Sequence, residues 1–279
     1  MYRVVFSIHP QKEEEMADRL FEAGAQSVSV EDIDEPELRM TGIFDKKDML
    51  AQQFPGFDFM ITEMEEMSWK YRWMEYFHGT EVTEHIYIEP AGYSSPGSRS
   101  YDHVIQLDPR DAFGDGGHPT TRMCALMMEK HLQDMGEDEK GQVGMLDAGT
   151  GTGILAIIAR KLGVVSIQAF DVDDPSVARA RENAFRNSCG DISFFTRDLS
   201  GFTPENRYSL VVANLLTVII EKNMKYLKNL LSADGVMILS GIGKEWEDEI
   251  KKLFTLHKLE IIEEMEEGRW KGFMLKATG

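Results

Sequence analysis

Between an apolar stretch at 143–147 and another at 154–162 runs Asp147-Ala148-Gly149-Thr150-Gly151-Thr152-Gly153, and no other feature of the chain limits its fold so sharply. The first stretch has the length and composition of a buried strand, the second those of an apolar helix. Glycines in alternate positions let the turn close tightly and bring bare backbone against a ligand. The following helix adds amide hydrogens and the positive end of its dipole. Such a turn is either a cradle for an adenosine-containing cofactor or a structural Gly-rich corner. Spacing narrows the cofactor: dinucleotide folds use Gly-x-Gly-x-x-Gly and phosphate loops end in Gly-Lys-Ser/Thr, and neither pattern stands here.

A strand, turn and helix of this kind need neighbours, and the pattern supplies them. Strands are expected at 103–107, 143–147, 164–170, 192–196, 210–213, 236–239, 258–265 and 271–277, with helices at 120–131, 154–162, 175–187, 221–231 and 246–254. Residues 133–144 read as a charged surface connection. The alternation predicts an α/β fold, a mainly parallel sheet covered on both faces and closed by an antiparallel pair. Upstream, strands at 2–8, 27–31, 43–44 and 57–63 and helices at 11–23 and 46–53 predict a small α+β domain. Trp69, Trp73, Tyr76 and Phe77 recur at helical spacing. They predict an aromatic-faced helix packed between domains or, alternatively, a substrate contact. A strand at 84–89 and a loop at 90–98 follow. The expected boundaries are 1–66 for the α+β domain, 67–98 for a linker with the aromatic helix, and 99–279 for the α/β domain.

Charge separates the same regions. The whole chain carries 30 Lys+Arg and 48 Asp+Glu, a net −18, and residues 1–90 alone hold 8 basic and 20 acidic side chains, a net −12. This surface suits a basic partner and argues against nonspecific nucleic-acid binding or a polybasic membrane anchor. Cys124 and Cys189 are too few for a disulfide framework or a cysteine-rich zinc site and read as small core residues. Neither a secretory leader nor an apolar run of spanning length is expected, and no metal is expected.

Two further acids fit the glycine turn. Asp171 falls at the expected end of the next strand, where its oxygens can accept from two ribose hydroxyls; Asp173 or Asp174 is then left to cap the helix entered at Pro175. Asp198 follows the third strand and is either a cofactor contact or a turn residue. Upstream, Asp108-Pro109-Arg110-Asp111-Ala112-Phe113-Gly114-Asp115-Gly116-Gly117-His118-Pro119-Thr120-Thr121 reads as a loop held in one shape, with Thr120 or Thr121 capping the helix that follows. His118 either accepts a proton or holds this loop. Asn214, in Ala213-Asn214-Leu215-Leu216, ends the fourth strand and either meets substrate and cofactor or terminates the strand.

The Asp-x-Gly-x-Gly-x-Gly turn resembles the first motif of Rossmann-like S-adenosylmethionine methyltransferases. Together with the Gly-His-Pro-Thr-Thr loop, Ala213-Asn214-Leu215-Leu216 and Leu239-Ser240-Gly241-Ile242, it makes the chain similar to the bacterial methyltransferases of large-subunit ribosomal protein eleven. The resemblance implies a Rossmann-like catalytic domain behind a smaller N-terminal substrate-recognition domain. It implies S-adenosyl-L-methionine as cofactor, S-adenosyl-L-homocysteine as product, and a cytoplasmic enzyme that methylates lysine or other amines of a basic ribosomal protein without needing nucleic acid. Carried over by motif, cofactor contacts fall on Thr121, Asp147, Gly149, Gly151, Gly153, Asp171, Asp198 and Asn214, with Asn214 and His118 at the transfer site. The chain departs from the family's Gly-Thr-Gly-Thr-His with Gly114-Asp115-Gly116-Gly117-His118, which exchanges two hydroxyls for a charge and a hydrogen. A related enzyme with another protein or small-amine acceptor, or a cofactor-binding protein without transfer activity, are the competing readings.

Overall fold

The computed structural model describes residues 2–9, 12–25, 27–34, 37–44, 54, 57, 59–63, 79–92, 94, 98–108 and 116–278. It divides into two compact units, Met1–Tyr76 and Phe77–Gly279. The expected helix at 46–53 and the aromatic segment 69–77 lie outside the described residues.

The first unit contains β1 (Tyr2–Ile8), α1 (Glu13–Glu22), β2 (Ser27–Asp34), β3 (Glu37–Phe44) and β4 (Phe59–Glu63). Its sheet has the order β2-β3-β1-β4, and every neighbouring pair is antiparallel. Alternate residues Val4, Phe6 and Ile8 of β1 are buried with Met16 and Leu20, one helical turn apart on α1. A strand's two-residue repeat and a helix's four-residue repeat thus meet in one apolar layer. The third strand begins at Glu37, well before the Ile43-Phe44 pair legible in the sequence, because exposed Arg39 alternates with buried Leu38 and Met40.

The second unit opens with a three-stranded sheet of β5 (Thr80–Glu81), β6 (Ile86–Pro90) and β7 (His103–Leu107), in which β6 and β7 run parallel. Then come α2 (Pro119–Leu132), α3 (Glu137–Gln142), β8 (Gly144–Ala148), α4 (Ile154–Lys161), β9 (Ser166–Asp171), α5 (Asp174–Arg186) and β10 (Ser193–Thr196). They are followed by β11 (Tyr208–Asn214), α6 (Thr217–Leu230), β12 (Leu231–Gly243), α7 (Glu247–Leu256), β13 (Leu259–Glu267) and β14 (Trp270–Ala277). The large sheet has the order β10-β9-β8-β11-β12-β14-β13. Pairs from β10 to β12 are parallel, and β14 runs antiparallel to both β12 and β13. The predicted mixed sheet with an antiparallel closing pair is what forms.

Both faces of this sheet are covered. Leu210, Val212, Val236 and Ile238 point to the layer of α2, α4 and α5, whereas Val211, Ala213, Met237 and Leu239 point to that of α6 and α7. Ile86, Ile88, Ile105 and Leu107 of the small sheet are fully buried in the first of these layers, each side chain contributing roughly 1.5–3 kcal/mol. Both cysteines are buried and free, as core residues.

The charged connection expected at 133–144 contains a helix instead. Gly136 N–H donates to the Glu139 carboxylate at 2.8 Å, and three acids occupy the first turn of α3, which favours a helical N-terminus that composition alone conceals. Helix α6 likewise starts at Thr217, four residues early, and β12 extends far beyond 236–239. Among the described residues no helix is long and apolar enough to cross a membrane.

Candidate functional site

The glycine turn joins β8 to α4 and docks on the end of β9. Amides of Gly149 and Thr150 both donate to the Phe170 carbonyl at 2.9 Å. Gly149, Gly151 and Gly153 have φ of 77°, 51° and 83°, the left-handed region that side chains disfavour. Space is short too: a Cβ at Gly149 would lie 2.3 Å from Leu215 Cδ2, and one at Gly153 3.1 Å from Ala180 Cα. The turn is therefore pressed between the loop after β11 and the first half of α5.

Asp147 ends this strand inside the protein, with none of its surface exposed. Thr150 Oγ1 donates to its Oδ2 at 2.7 Å, while Oδ1 has no hydrogen-bond partner. Burial pushes the carboxyl up to about 7, against the opposing effects of the Thr150 hydroxyl and the Ala156 amide in the first turn of α4. A buried oxygen left without a partner is costly, and a cationic or donor group of a ligand would satisfy it.

Asp171 stands at the end of β9, half-buried. Its Oδ2 accepts the Gly151 amide at 2.9 Å and its Oδ1 the Asp173 amide at 3.1 Å, so the backbone aims the carboxylate while lone pairs remain for hydroxyl donors. Asp173, not Asp171, caps α5 by accepting the Ser176 amide at 2.8 Å. Phe170, Phe195 and Phe202 cluster beside it, with ring centroids 5.3 to 5.7 Å apart. Asp198 is exposed, and its Oδ1 accepts the Ser200 amide at 2.8 Å, the geometry of a local turn.

Across the turn, the Asn214 side chain donates to Thr121 Oγ1 at 3.4 Å, joining the end of β11 to the first turn of α2 over 93 residues of chain. The loop after Asn214 is anchored by Ser240, whose carbonyl accepts the Leu215 amide at 3.0 Å and whose hydroxyl donates to the Lys271 carbonyl at 3.1 Å. At Gly241, φ is 86° and a Cβ would sit 2.2 Å from the Leu215 carbonyl oxygen, so only glycine permits this approach. The helix cap differs from expectation. His118, not Thr120 or Thr121, is the N-cap: its Nδ1 accepts the Thr120 amide at 3.3 Å and lies 2.7 Å from Thr120 Oγ1. The His118 ring meets Trp270 edge-on at 5.2 Å. Pro119 at the first helical position leaves its missing N–H without cost. Of the two departures from the resembled family, Asp115 lies outside the described residues, and Gly117 is half-buried just before the His118 cap.

These elements bring Asp147, Gly149, Gly151, Gly153 and Asp171 around one turn, with Asn214 and Thr121 hydrogen-bonded beside it, and hold Asp198 on the surface. Sequence reasoning missed Ser240 and Gly241 as supports of Asn214. The Leu239-Ser240-Gly241-Ile242 run carried the signal, since a Ser-Gly pair within an apolar strand marks a bulge or close backbone approach, and the β12–β14 register shifts between Leu239 and Ile242. Among the described residues, no group of three or more His, Cys, Asp and Glu side chains could hold a metal ion. The arrangement offers a buried acid, bare amides and a half-buried second acid, which fit an amino-acid-bearing nucleoside.

Comparison with known proteins agrees with this chemistry. The profile of the family described as ribosomal protein L11 methyltransferase (PrmA) matches residues 1–278. Ribosomal protein L11 methyltransferases of Acetivibrio thermocellus and Caldicellulosiruptor saccharolyticus are 32% and 36% identical over 77% and 75% of this chain. The matched stretch spans 66% of each relative, just under two thirds of their length. The crystal structure of a ribosomal protein L11 methylase from Lactobacillus delbrueckii subsp. bulgaricus is 31% identical, with a TM-score of 0.64 over 73% of this chain and all of that one.

Proposed function

The chain belongs to the ribosomal protein L11 methyltransferase family, and from that premise we propose that it methylates lysine or other amino groups of that basic ribosomal protein. The donor is S-adenosyl-L-methionine, whose sulfonium supplies an activated methyl group. The unpartnered Oδ1 of Asp147, fully buried under a glycine turn with little room for side chains, is the observation that supports this reading most directly.

Asp147 and the amides of the turn bind the donor's charged end, and Asp171 holds its ribose. Thr121 closes the near side, and Asp198 completes the adenosine side from the surface. Asn214 orients the acceptor through its carbonyl oxygen while its amide rests on Thr121. The acceptor's ammonium must give up a proton to solvent before the amine lone pair can attack the methyl carbon; as the new C–N bond forms, the carbon–sulfur bond breaks and leaves a neutral thioether. Orientation and exclusion of water supply the rate, with no covalent enzyme intermediate. The cap geometry of His118 supports a positioning role over that of a proton acceptor, since its Nδ1 is directed at Thr120. The net −12 of residues 1–90 would draw a basic acceptor towards the first unit. A cytoplasmic location follows from the same substrate.

The test incubates the purified full chain with methyl-labelled donor and purified L11 or a bacterial extract, then identifies the labelled residue. Label on L11 amines is expected, and Asn214→Ala should lower single-turnover transfer by about 100-fold while the donor still binds. Label only on another acceptor would replace the substrate; no transfer with tight donor binding would replace the activity.

A further inference from the structure

One asparagine, Asn183, interrupts the inner face of α5, and a second, Asn187, caps its C-terminal end. Val177, Ala180 and Ala184 make that face apolar and buried, and asparagine is a poor helix former whose amide is costly to bury unless partnered. Yet Asn183 is 0% exposed and Asn187 6%. Both spend their side chains on backbone far away in sequence. Asn183 Oδ1 accepts the Asp108 amide at 3.0 Å, and its Nδ2 donates to the carbonyls of Asp108 at 3.2 Å and Thr152 at 3.0 Å. Asn187 Oδ1 accepts the Gln106 amide at 2.8 Å, and its Nδ2 donates to the Gln106 carbonyl and, within the helix end, to the Asn183 carbonyl, each at 2.8 Å.

The spacing has a simple origin. Alternate residues of a strand present backbone groups to the same edge about 6.6 Å apart, and residues four apart on a helix rise about 6 Å. Two amides four residues apart, one in α5 and one at its C-cap, therefore match Asp108 and Gln106 and serve the edge of β7 that β6 leaves open. Asn183 does one thing Asn187 does not: it also holds Thr152, between two glycines of the donor turn. Arg179 and Arg186 of the same helix approach the Asp108 carboxylate at 3.8 and 3.7 Å.

We propose that Asn183 is a positioning residue that couples the glycine turn to the end of β7 at Asp108, so that the donor cradle and this strand form one rigid frame. The inference rests on the methyl-transfer reading above. It gives Asn183 a role in the reaction without contact to either substrate, and it assigns Asn187 a structural role alone.

Asn183→Asp separates these. The substitution keeps an acceptor for the Asp108 amide but turns both N–H donors into an oxygen facing the carbonyls of Thr152 and Asp108. S-adenosylhomocysteine should bind about tenfold more weakly and single-turnover methyl transfer at saturating donor should fall about tenfold. Asn187→Asp should lower the melting temperature while leaving both constants within about twofold. Equal losses in the two variants, or a folded Asn183→Asp with both constants within about twofold of wild type, would overturn the inference. Should Asn183→Asp not fold, hydrogen exchange on the wild-type protein decides: S-adenosylhomocysteine should slow the Asp108 amide, and unchanged exchange there overturns the coupling. Wild-type protein that binds no S-adenosylhomocysteine would instead sink the cofactor reading itself.

Discussion

Asp147 and Lys271 are both charged residues buried in the same sheet, and their surroundings could hardly differ more. Lys271 on β14 is 6% exposed, yet its ammonium meets Glu247 at 2.9 Å and Glu264 and Glu266 at 2.8 Å each. Hydrogen bonds to Glu264 and Glu266 raise its pKa further. Lys251 ties Glu247 to Glu264, and Lys244 pairs with Glu266. Asp147, more deeply buried, has one hydroxyl and an oxygen with no partner. A buried charge with its partners supplied by the protein is structural, whereas one that lacks them is poised for a ligand. The difference also sets opposite responses to acid. Glu247 is held down to about 2 by Lys251 and Lys271, against an ordinary 4.5, so its share of stability is present above 4.5 and is lost as pH falls towards 2. The Asp147 carboxyl keeps its proton to about 7, against an ordinary 3.8. Its contribution is thus fully present below 3.8 and declines as pH rises through about 7.

The strongest way to break this comparison is Lys271→Met. Removing the ammonium leaves three carboxylates facing one another, which should cost about 3 kcal/mol of unfolding free energy in urea, the low end of the range because those acids keep water access. Donor affinity should stay unchanged; a stable Lys271→Met protein would show the cluster to be ornamental. Next comes Asp171→Ala, expected to weaken donor binding by about 2 kcal/mol, roughly thirtyfold, in calorimetric titration with the melting temperature nearly unmoved. Loss of fold would recast Asp171 as a prop for the turn. Smaller still is a pH effect. The ammonium of the ligand's amino-acid end favours ionised Asp147, so affinity for S-adenosylhomocysteine should rise about tenfold from pH 6 to 8, with proton release on binding, and Asp147→Asn should flatten this slope. An Asp147→Asn slope as steep as wild type would place the titration elsewhere. Smallest is the acid limb itself: urea midpoints below pH 4.5 should fall in wild-type protein, and less steeply in Glu247→Gln.

Much of the α/β architecture was legible because its signals are local. The unbroken apolar run Leu210 to Ala213, the glycine turn and Asp173 before Pro175 each announce themselves within a few residues. What stayed hidden depends on partners distant in the chain. His118 caps α2 in place of a threonine because Pro119 fixes the first turn and the histidine ring is steadied by Trp270, which the local sequence does not show. Asn183 and Asn187 look like indifferent helix residues until β7 is placed beside them. The bulge at Gly241 has meaning only against the Leu215 carbonyl. Asp198 carries the strand-end position of a cofactor contact and the hydrogen bond of a turn, two roles that position in the sequence does not separate.

The strand order has a consequence for biosynthesis. β14 lies between β12 and β13, so β13 has no neighbour in the sheet until β14 has been made. While the chain is being made, the cradle around Asp147 and Asp171 can assemble, but the free edge of β12 stays open and Ser240 lacks the carbonyl of Lys271 that receives its hydroxyl. An emerging chain stopped before residue 270 would therefore expose a long apolar strand edge, the kind that pairs with other chains and aggregates. Pairing of β14 with β12 is also what seats the loop after Asn214.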